Sequence, residues 1–378
     1  MLDGSSVLLL GSNNYLGLAD HPKVRRAAAR AASSDGTGSG ASRLISGNMD
    51  CHESLEAQLA AFIGTERTLL FGSGYLANLG AIATIAELEP GGVVFSDELN
   101  HASIIDGCRL AHAETFVYRH RDLEHLEWGL RRAGERARMI VTDALFSMDG
   151  DLAPIPGVVD LAERHEVLTM VDEAHSLGCF GPEGRGVVAE FGMSSRVDLL
   201  VGTLGKALGS YGAFVGSSAR TRELLINRSR PFIFSTAPPP PAIAAASRAL
   251  ELIGDEPQRV ERLRRNSRLL REQLANRGLA VEDSDSQIIP LVIGDASKAL
   301  SLSERLLAEG IYAQAIRPPT VPDGTSRLRL SVMSEHREDD LRKAAGTIAR
   351  CCDSLGIEVQ PPLGSPETLD RIEAEQAA

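Results

Sequence analysis

The sequence predicts an α/β protein: a larger part built on a mostly parallel sheet, then a small C-terminal α+β part. Three observations predict it. From about Glu66 to Gly216, short apolar runs alternate with helix-length segments, the pattern of strands covered on both faces by crossover helices. The run Pro238-Pro239-Pro240-Pro241 then interrupts the chain, because such a run sits in neither a helix interior nor a central strand. Beyond it come two long helical stretches, followed by strands and helices in mixed order. The expected segmentation is an N-terminal segment (1–45), a large domain (46–241), a small C-terminal domain (242–355) and a tail (356–378).

Each element follows from local chemistry. Asp20 and Pro22 start a short helix over 23–32, a carboxylate and a proline both suiting a helix N-terminus. Asp50 with Glu53 reads as a capping box opening a helix to Phe62, with Gly64 just past its end. Strands are expected at Arg67–Phe71, Val93–Ser96, Glu114–Tyr118, Arg138–Thr142, Val167–Val171 and Val197–Val201. Tyr75–Leu88, Ala102–Ala111 and Leu123–Arg132 have helix length between them. After the prolines, helices are expected over Ala242–Ile253 and Gln258–Arg277, and a strand over Ile288–Ile293. A helix over Leu300–Glu309, strands near Ile311–Ile316 and Arg327–Val332, and a last helix over Glu335–Asp353 complete the part. The tail from Pro361 is rich in Pro, Glu and Asp and reads as frayed.

Composition narrows the function. The 378 residues carry 39 Lys+Arg against 51 Asp+Glu, a net charge of −12, which disfavours nucleic acid and anionic membrane as partners. Aromatic residues, at 4%, offer few platforms for stacking bases. The apolar run Val7–Leu10 is too short for a signal h-region or a membrane span. Five cysteines in no CxxC spacing, with Cys351 and Cys352 adjacent, read as reduced thiols of a cytoplasmic enzyme. No zinc signature exists, since His52-Glu53 continues to Glu56 rather than to a second histidine, and no metal is expected.

Gly72-Ser73-Gly74-Tyr75-Leu76-Ala77 follows a strand and opens a helix, with Asp97 ending the next strand. That fits a dinucleotide-binding loop with its ribose-binding acid, and a nicotinamide-dependent dehydrogenase is one reading. The physics is broader than the pattern, because amides at a helix N-terminus hold any phosphate, and a plain tight turn is also compatible. Asp172, in Asp172-Glu173-Ala174-His175, stands at the carboxyl end of a parallel strand, where open α/β sheets bind ligands. Lys206 lies among Gly202-Thr203-Leu204-Gly205 and Ala207-Leu208-Gly209 after another apolar strand. Desolvation there would favour the neutral amine that attacks a carbonyl. A carboxylate for a pyridine nitrogen, a lysine for an aldehyde and a helix terminus for a phosphate together make a pyridoxal 5'-phosphate (PLP) site.

These segments resemble the α-oxoamine synthases, PLP enzymes of fold type I (aspartate aminotransferase-like). The resemblance runs from Ser12-Asn13-Asn14-Tyr15-Leu16-Gly17-Leu18 to Arg327-Leu328-Arg329-Leu330-Ser331. It includes Ser42-Arg43-Leu44-Ile45-Ser46-Gly47, Asn100-His101-Ala102-Ser103-Ile104 and Phe146-Ser147-Met148-Asp149-Gly150. It implies that Lys206 is the Schiff-base lysine, Asp172 the pyridine-nitrogen partner and His101 the histidine stacked on the ring. His175, Ser147 and Thr203 match residues around the phenolic oxygen and phosphate, and Gly74 and Tyr75 the phosphate-side loop. Ser235 and Thr236 match a segment that reaches the neighbouring subunit's phosphate, implying a homodimer with shared sites. Arg329 matches the arginine that holds the amino-acid carboxylate, and Asn14, His101 and Thr320 are expected to touch substrate. Without the resemblance, His101 reads as a helix-cap imidazole, Ser147 as a turn residue and Arg329 as a solvent-facing strand arginine.

The implied activity joins a small amino acid to an acyl thioester, on coenzyme A or a carrier protein, with loss of carbon dioxide. Ile316-Arg317-Pro318-Pro319-Thr320-Val321-Pro322 and Arg230-Pro231-Phe232-Ile233-Phe234-Ser235-Thr236-Ala237 resemble members using alanine and a pimeloyl thioester. Members using glycine and acetyl-CoA are the alternative. The family has a further N-terminal helical segment carrying an arginine near the acyl entrance, whereas the first arginine here is Arg25. The expectation is therefore a truncated start or a different acyl recognition.

Overall fold

Runs such as Val93–Asp97 and Leu168–Asp172 offer no polar face to water, so the strands they form must be covered on both sides. The computed structural model describes residues 4–88, 91–281 and 284–360, so the tail from Pro361 lies outside the described residues. The chain separates into two compact units. The larger comprises Leu16–Phe146 and Leu152–Val260; the smaller comprises the described residues up to Tyr15, Ser147–Asp151 and those from Glu261 onward.

Counting along the chain, β1 (Leu8–Leu9) belongs to the smaller unit, and the next strands form the seven-stranded sheet of the larger. They are β2 (Arg67–Phe71), β3 (Val93–Asp97), β4 (Glu114–Tyr118), β5 (Ala137–Asp143), β6 (Leu168–Asp172), β7 (Leu199–Thr203) and β8 (Ala213–Ser217), in spatial order β2-β8-β7-β6-β5-β3-β4. Pairings from β4 across to β7 are parallel, and β8 runs antiparallel to both its neighbours. The helices of this unit are α1 (Pro22–Ser34), α2 (Asp50–Ile63), α3 (Gly74–Ala86), α4 (Ala102–Leu110), α5 (Leu123–Ala133), α6 (Ile155–Arg164), α7 (Val187–Glu190), α8 (Ala219–Arg228), α9 (Arg230–Ile233) and α10 (Pro240–Asp255). One core packs α3 and α4 on the sheet through Ile82, Ile104, Met139, Met170 and Val201. Another packs α5 and α6 through Leu126, Leu130, Ile140 and Val158.

In the smaller unit β9 (Ile288–Gly294), β11 (Gln314–Ile316) and β12 (Ser326–Ser331) form an antiparallel sheet in the order β11-β12-β9, while β1 pairs with β10 (Ile311–Tyr312). α11 (Gln258–Ala275) starts in the larger unit and continues into the smaller, which also contains α12 (Ala296–Ala308) and α13 (Glu338–Ser354). Leu270, Leu291, Leu302, Leu328, Leu330 and Ile348 are among its core. No helix among the described residues is long and apolar enough to cross a membrane.

Several local expectations shift. Met49, not Asp50, is the N-cap of α2, and the side chain that reaches back is His52, whose Nδ1 accepts the Met49 N–H at 3.0 Å. The other nitrogen, Nε2, then donates to Pro238 O at 2.7 Å. Pro240 and Pro241 sit in the first turn of α10, where the missing N–H groups had no helical acceptor to lose. β8 had no counterpart among the expected strands, its apolar stretch being only Ala213-Phe214-Val215 between Gly212 and Gly216. The units also cut across the linear segments: α10 packs along α1 and α2 and belongs with the larger unit.

Candidate active site

Parallel strands end on one edge of a sheet, and the loops after them are where an open α/β fold presents chemistry. β5 ends at Asp143, β6 at Asp172 and β7 at Thr203. With α3, the start of α4 and the loop after β7, these ends enclose a cavity of about 170 Å³. It is lined by Gly74, Tyr75, Asn78, His101, Ser103, Asp143, Asp172, Ala174, His175, Thr203 and Lys206.

Lys206 stands just past Thr203 in a loop closed on itself: Leu204 N–H donates to Gly212 O at 2.9 Å, Ser210 N–H to Leu204 O at 2.8 Å, and Gly209 N–H to Lys206 O at 2.9 Å. Gly209 has φ +60°, and a Cβ there would lie 2.3 Å from the Ala19 nitrogen, so the loop requires glycine. Thr203 Oγ1 accepts the Gly205 N–H and donates to Gly212 O, each at 3.2 Å. Asp172 is 4% exposed; its carboxylate accepts from Asn78 Nδ2 at 2.7 Å and from the Ala174 N–H at 2.8 Å. Asp143 lies beside it in register. Burial first, and then the charge of Asp172, holds the Asp143 carboxyl well above the usual range, although the His101 N–H donates to it at 2.7 Å.

His101 caps α4 with its own side chain, Nδ1 accepting the Ser103 N–H. Desolvation pushes its pKa below the ordinary imidazole value, Asp172 pulls it up and Lys206 pushes it down. At the head of α3, Ser73 Oγ accepts the Leu76 N–H at 3.2 Å, leaving the leading amides at Gly74 and Tyr75 in need of an outside acceptor. The Tyr75 hydroxyl donates to Asp106.

Gly74, Tyr75, His101, Asp172, His175, Thr203 and Lys206 thus line one cavity. Ser235 and Thr236 do not line it; they follow α9, where Thr236 bridges to Ser42. Ser147, Asn14, Thr320 and Arg329 belong to the smaller unit. There Arg329, 7% exposed, gives its Nε–H to Ser147 O and Nη1 to Ser331 Oγ at 2.9 Å and Asn13 Oδ1 at 3.2 Å, while Nη2 reaches the Tyr15 hydroxyl at 3.3 Å. It does not face solvent from an edge. Asn14 donates its N–H to Ser12 Oγ at 3.0 Å, and Thr320 sits in an exposed turn after Pro318-Pro319. Asn78, Ser103 and Asp143 are site residues that sequence reasoning missed; a lone asparagine inside an apolar helix was the available signal.

Asp97 settles the ribose question. Its buried carboxylate accepts the Leu99 and Arg121 N–H groups and pairs with His120 Nδ1, all at 2.9 Å, and it does not line the cavity. The reading of Asp97 as a nucleotide-binding acid is therefore corrected: it ties the ends of β3 and β4 together. The donor set suits PLP instead, with carboxylate, amine and helix N-terminus around one space. A buried acceptor, Asn78 Oδ1, has no hydrogen-bond partner on the same carboxamide that touches Asp172, where a pyridinium N–H would come. Among the described residues no group of three or more His, Cys, Asp or Glu side chains could hold a metal ion.

Sheet, loops and cavity define the class, and residues 5–348 match the family described as aminotransferase class I and II, to which the chain belongs. It is 51% identical to 8-amino-7-oxononanoate synthase of Geobacter sulfurreducens, covering 94% of this chain and 91% of that one. A solved structure of SPT with PLP matches with a TM-score of 0.90 at 35% identity, covering 94% of this chain and 89% of that chain. The 8-amino-7-oxononanoate synthase of Francisella tularensis matches with a TM-score of 0.80 at 28% identity, covering 92% and 98% respectively.

Proposed function

We propose that the chain is a PLP-dependent acyltransferase that joins L-alanine to a pimeloyl thioester, with loss of carbon dioxide, to give 8-amino-7-oxononanoate in biotin biosynthesis. The reading is carried by the meeting of Lys206, Asp172 and the Gly74–Tyr75 helix terminus on one cavity, in a chain half identical to enzymes of that name. Bound there, PLP supplies a pyridinium ring that accepts the negative charge developing at the amino acid's Cα.

The rest is work for this chain's residues. The amides of Gly74 and Tyr75 take the phosphate, with Thr203, His175 and Ser147 around the phosphate and the phenolic oxygen. Asp172 would pair with the ring nitrogen and His101 would cover the ring. Lys206 would hold the aldehyde and, once released, take the Cα proton. Arg329 holds the amino-acid carboxylate, gaining it through Nη2 in competition with the longer contacts to Asn13 and Tyr15. The electron pair left at Cα would attack the thioester carbonyl, the thiolate would depart and take a proton from solvent, carbon dioxide would be lost, and Lys206 would return its proton to the product. Asn14 and Thr320 complete the contacts to substrate.

The working molecule is a homodimer in which Ser235 and Thr236 serve the partner's phosphate. Ile45 is 80% exposed and Phe234 71% exposed, an apolar surface beside the Ser42–Thr236 bridge that a second copy would cover. A cytoplasmic location suits the adjacent free thiols of Cys351 and Cys352.

The test is thiol release with alanine, glycine and serine, each against pimeloyl, acetyl, succinyl and long-chain thioesters. Alanine with pimeloyl is expected to be fastest; a glycine–acetyl preference overturns the choice of substrates. Lys206→Ala is expected to retain weak PLP binding and to lose turnover by at least about a thousandfold.

A further inference from the structure

Asn78 is a polar residue within an apolar helix and is 1% exposed. Its Nδ2 lies 2.7 Å from Asp172 Oδ2 and 2.8 Å from Ser103 Oγ. Asp172 accepts the Ala174 N–H through its other oxygen, and an amide nitrogen donates where an amide oxygen cannot, so the nitrogen of Asn78 faces it. Ser103 Oγ accepts from Asn78 and lies 2.7 Å from His101 Nδ1, with its own hydrogen free to be given to that nitrogen. The backbone N–H of Ser103, which can only donate, reaches the same nitrogen at 3.2 Å. With two donors converging on it, Nδ1 presents its lone pair, and the hydrogen of the neutral ring sits on Nε2.

We infer that Asn78 and Ser103 are positioning residues that hold His101 as the neutral Nε2–H tautomer, so that the imidazole meets the reacting acyl group as a hydrogen-bond donor. The inference rests on the acyl transfer proposed above and deepens it: a donor at Nε2 is what a thioester oxygen needs as it gains charge. The surroundings of the ring favour a neutral His101 on balance. Desolvation and Lys206 disfavour the imidazolium against the pull of Asp172, and Asp143 accepts the residue's backbone N–H rather than a ring hydrogen. Protonation at Nδ1 would also break the cap that His101 gives α4.

Long-range proton–nitrogen correlation spectra of the PLP-loaded enzyme with isotope-labelled histidine read both tautomer and titration, His101→Gln assigning the signal. The wild type is expected to carry the hydrogen on Nε2. Ser103→Ala removes one of two donors to Nδ1 and is expected to raise the His101 midpoint by about one unit. Asn78→Ala frees the serine hydroxyl to rotate and is expected to raise it by about half a unit. The acid limb of the kcat/KM profile should move with it in each variant. An Nδ1–H tautomer in the wild type overturns the inference. So do a midpoint and an acid limb that stay put in both variants, the result a merely structural role would give. Failure of the wild type to release thiol from any thioester overturns the acyl-transfer reading instead, while the spectrum still decides the tautomer.

Discussion

Asp172 and Glu173 are adjacent carboxylates with opposite employment. Asp172 lines the cavity, whereas Glu173 turns away and accepts the Val187 N–H at 2.9 Å and the Val188 N–H at 2.7 Å at the start of α7. Asp143 is a third case, its carboxyl held well above the usual range by burial and then by the charge of Asp172. A carboxyl that binds its proton more tightly folded than unfolded lowers stability as pH rises past its unfolded value, near about 4. Its unfavourable contribution is absent below that value and grows until the folded pKa is passed. Asparagine has the shape of the protonated acid and still offers an oxygen to the His101 N–H. Asp143→Asn is therefore expected to be more stable than the wild type, by a margin that widens as pH rises above the unfolded carboxyl value, read by urea unfolding across a pH series. A constant margin would mean that Asp143 titrates no differently in the two states. At this scale Asp172 and Lys206 were legible as cavity residues, one a carboxylate at the end of an apolar strand, the other a lysine among glycines and small apolar residues just beyond one. Asn78, Ser103 and Asp143 were not, because what they do depends on which side chains α3, α4 and β5 bring within 3 Å of one another.

Among elements, the contact between α3 and α4 decides whether the Asn78–Ser103 link can form. Gly107 makes it close: a Cβ there would stand 2.9 Å from Ile82 Cδ1 and 3.2 Å from Asn78 O. Gly107→Val is expected to push α4 outward and destabilise the fold by about 1–3 kcal/mol, measured by urea unfolding. It should also weaken PLP binding, by separating Ser103 from Asn78. Unfolding shifted without any loss of PLP affinity would show that the spacing of the two helices does not matter to the cavity. The inner parallel strands β3, β5, β6 and β7 were legible to within a residue or two because strands buried on both faces read as runs of apolar residues. β8 was hidden: it lies antiparallel between β2 and β7, a placement that no local pattern encodes. The two prolines that begin α10 show the same limit, since only the helix that follows distinguishes a breaker from an N-terminal turn.

For the whole molecule, linear order misleads about membership. Ser147–Asp151 is a short insertion from the smaller unit within the sequence of the larger, and Arg327 within that unit forms a buried ion pair with Asp149. A residue's partners are then far from it in sequence, and the same argument extends to a second chain. Ser235 and Thr236, proposed above to serve the partner's phosphate, do not line their own chain's cavity. If they serve the partner, two defects carried on separate chains can compensate. Lys206→Ala leaves Ser235 and Thr236 intact, while Ser235→Ala with Thr236→Ala leaves Lys206 intact. In a mixed dimer one site then combines both defects and the other combines neither. Mixing the two variants after reversible dissociation is expected to restore about a quarter of wild-type turnover, since half the dimers are mixed and each has one intact site. If the serine–threonine pair serves its own chain, every site in the mixture carries one defect and turnover stays at the level of the separate variants. Affinity-tagging one variant and recovering the untagged one with it from the same mixture confirms that exchange took place, so that absent recovery counts against shared sites and not against mixing.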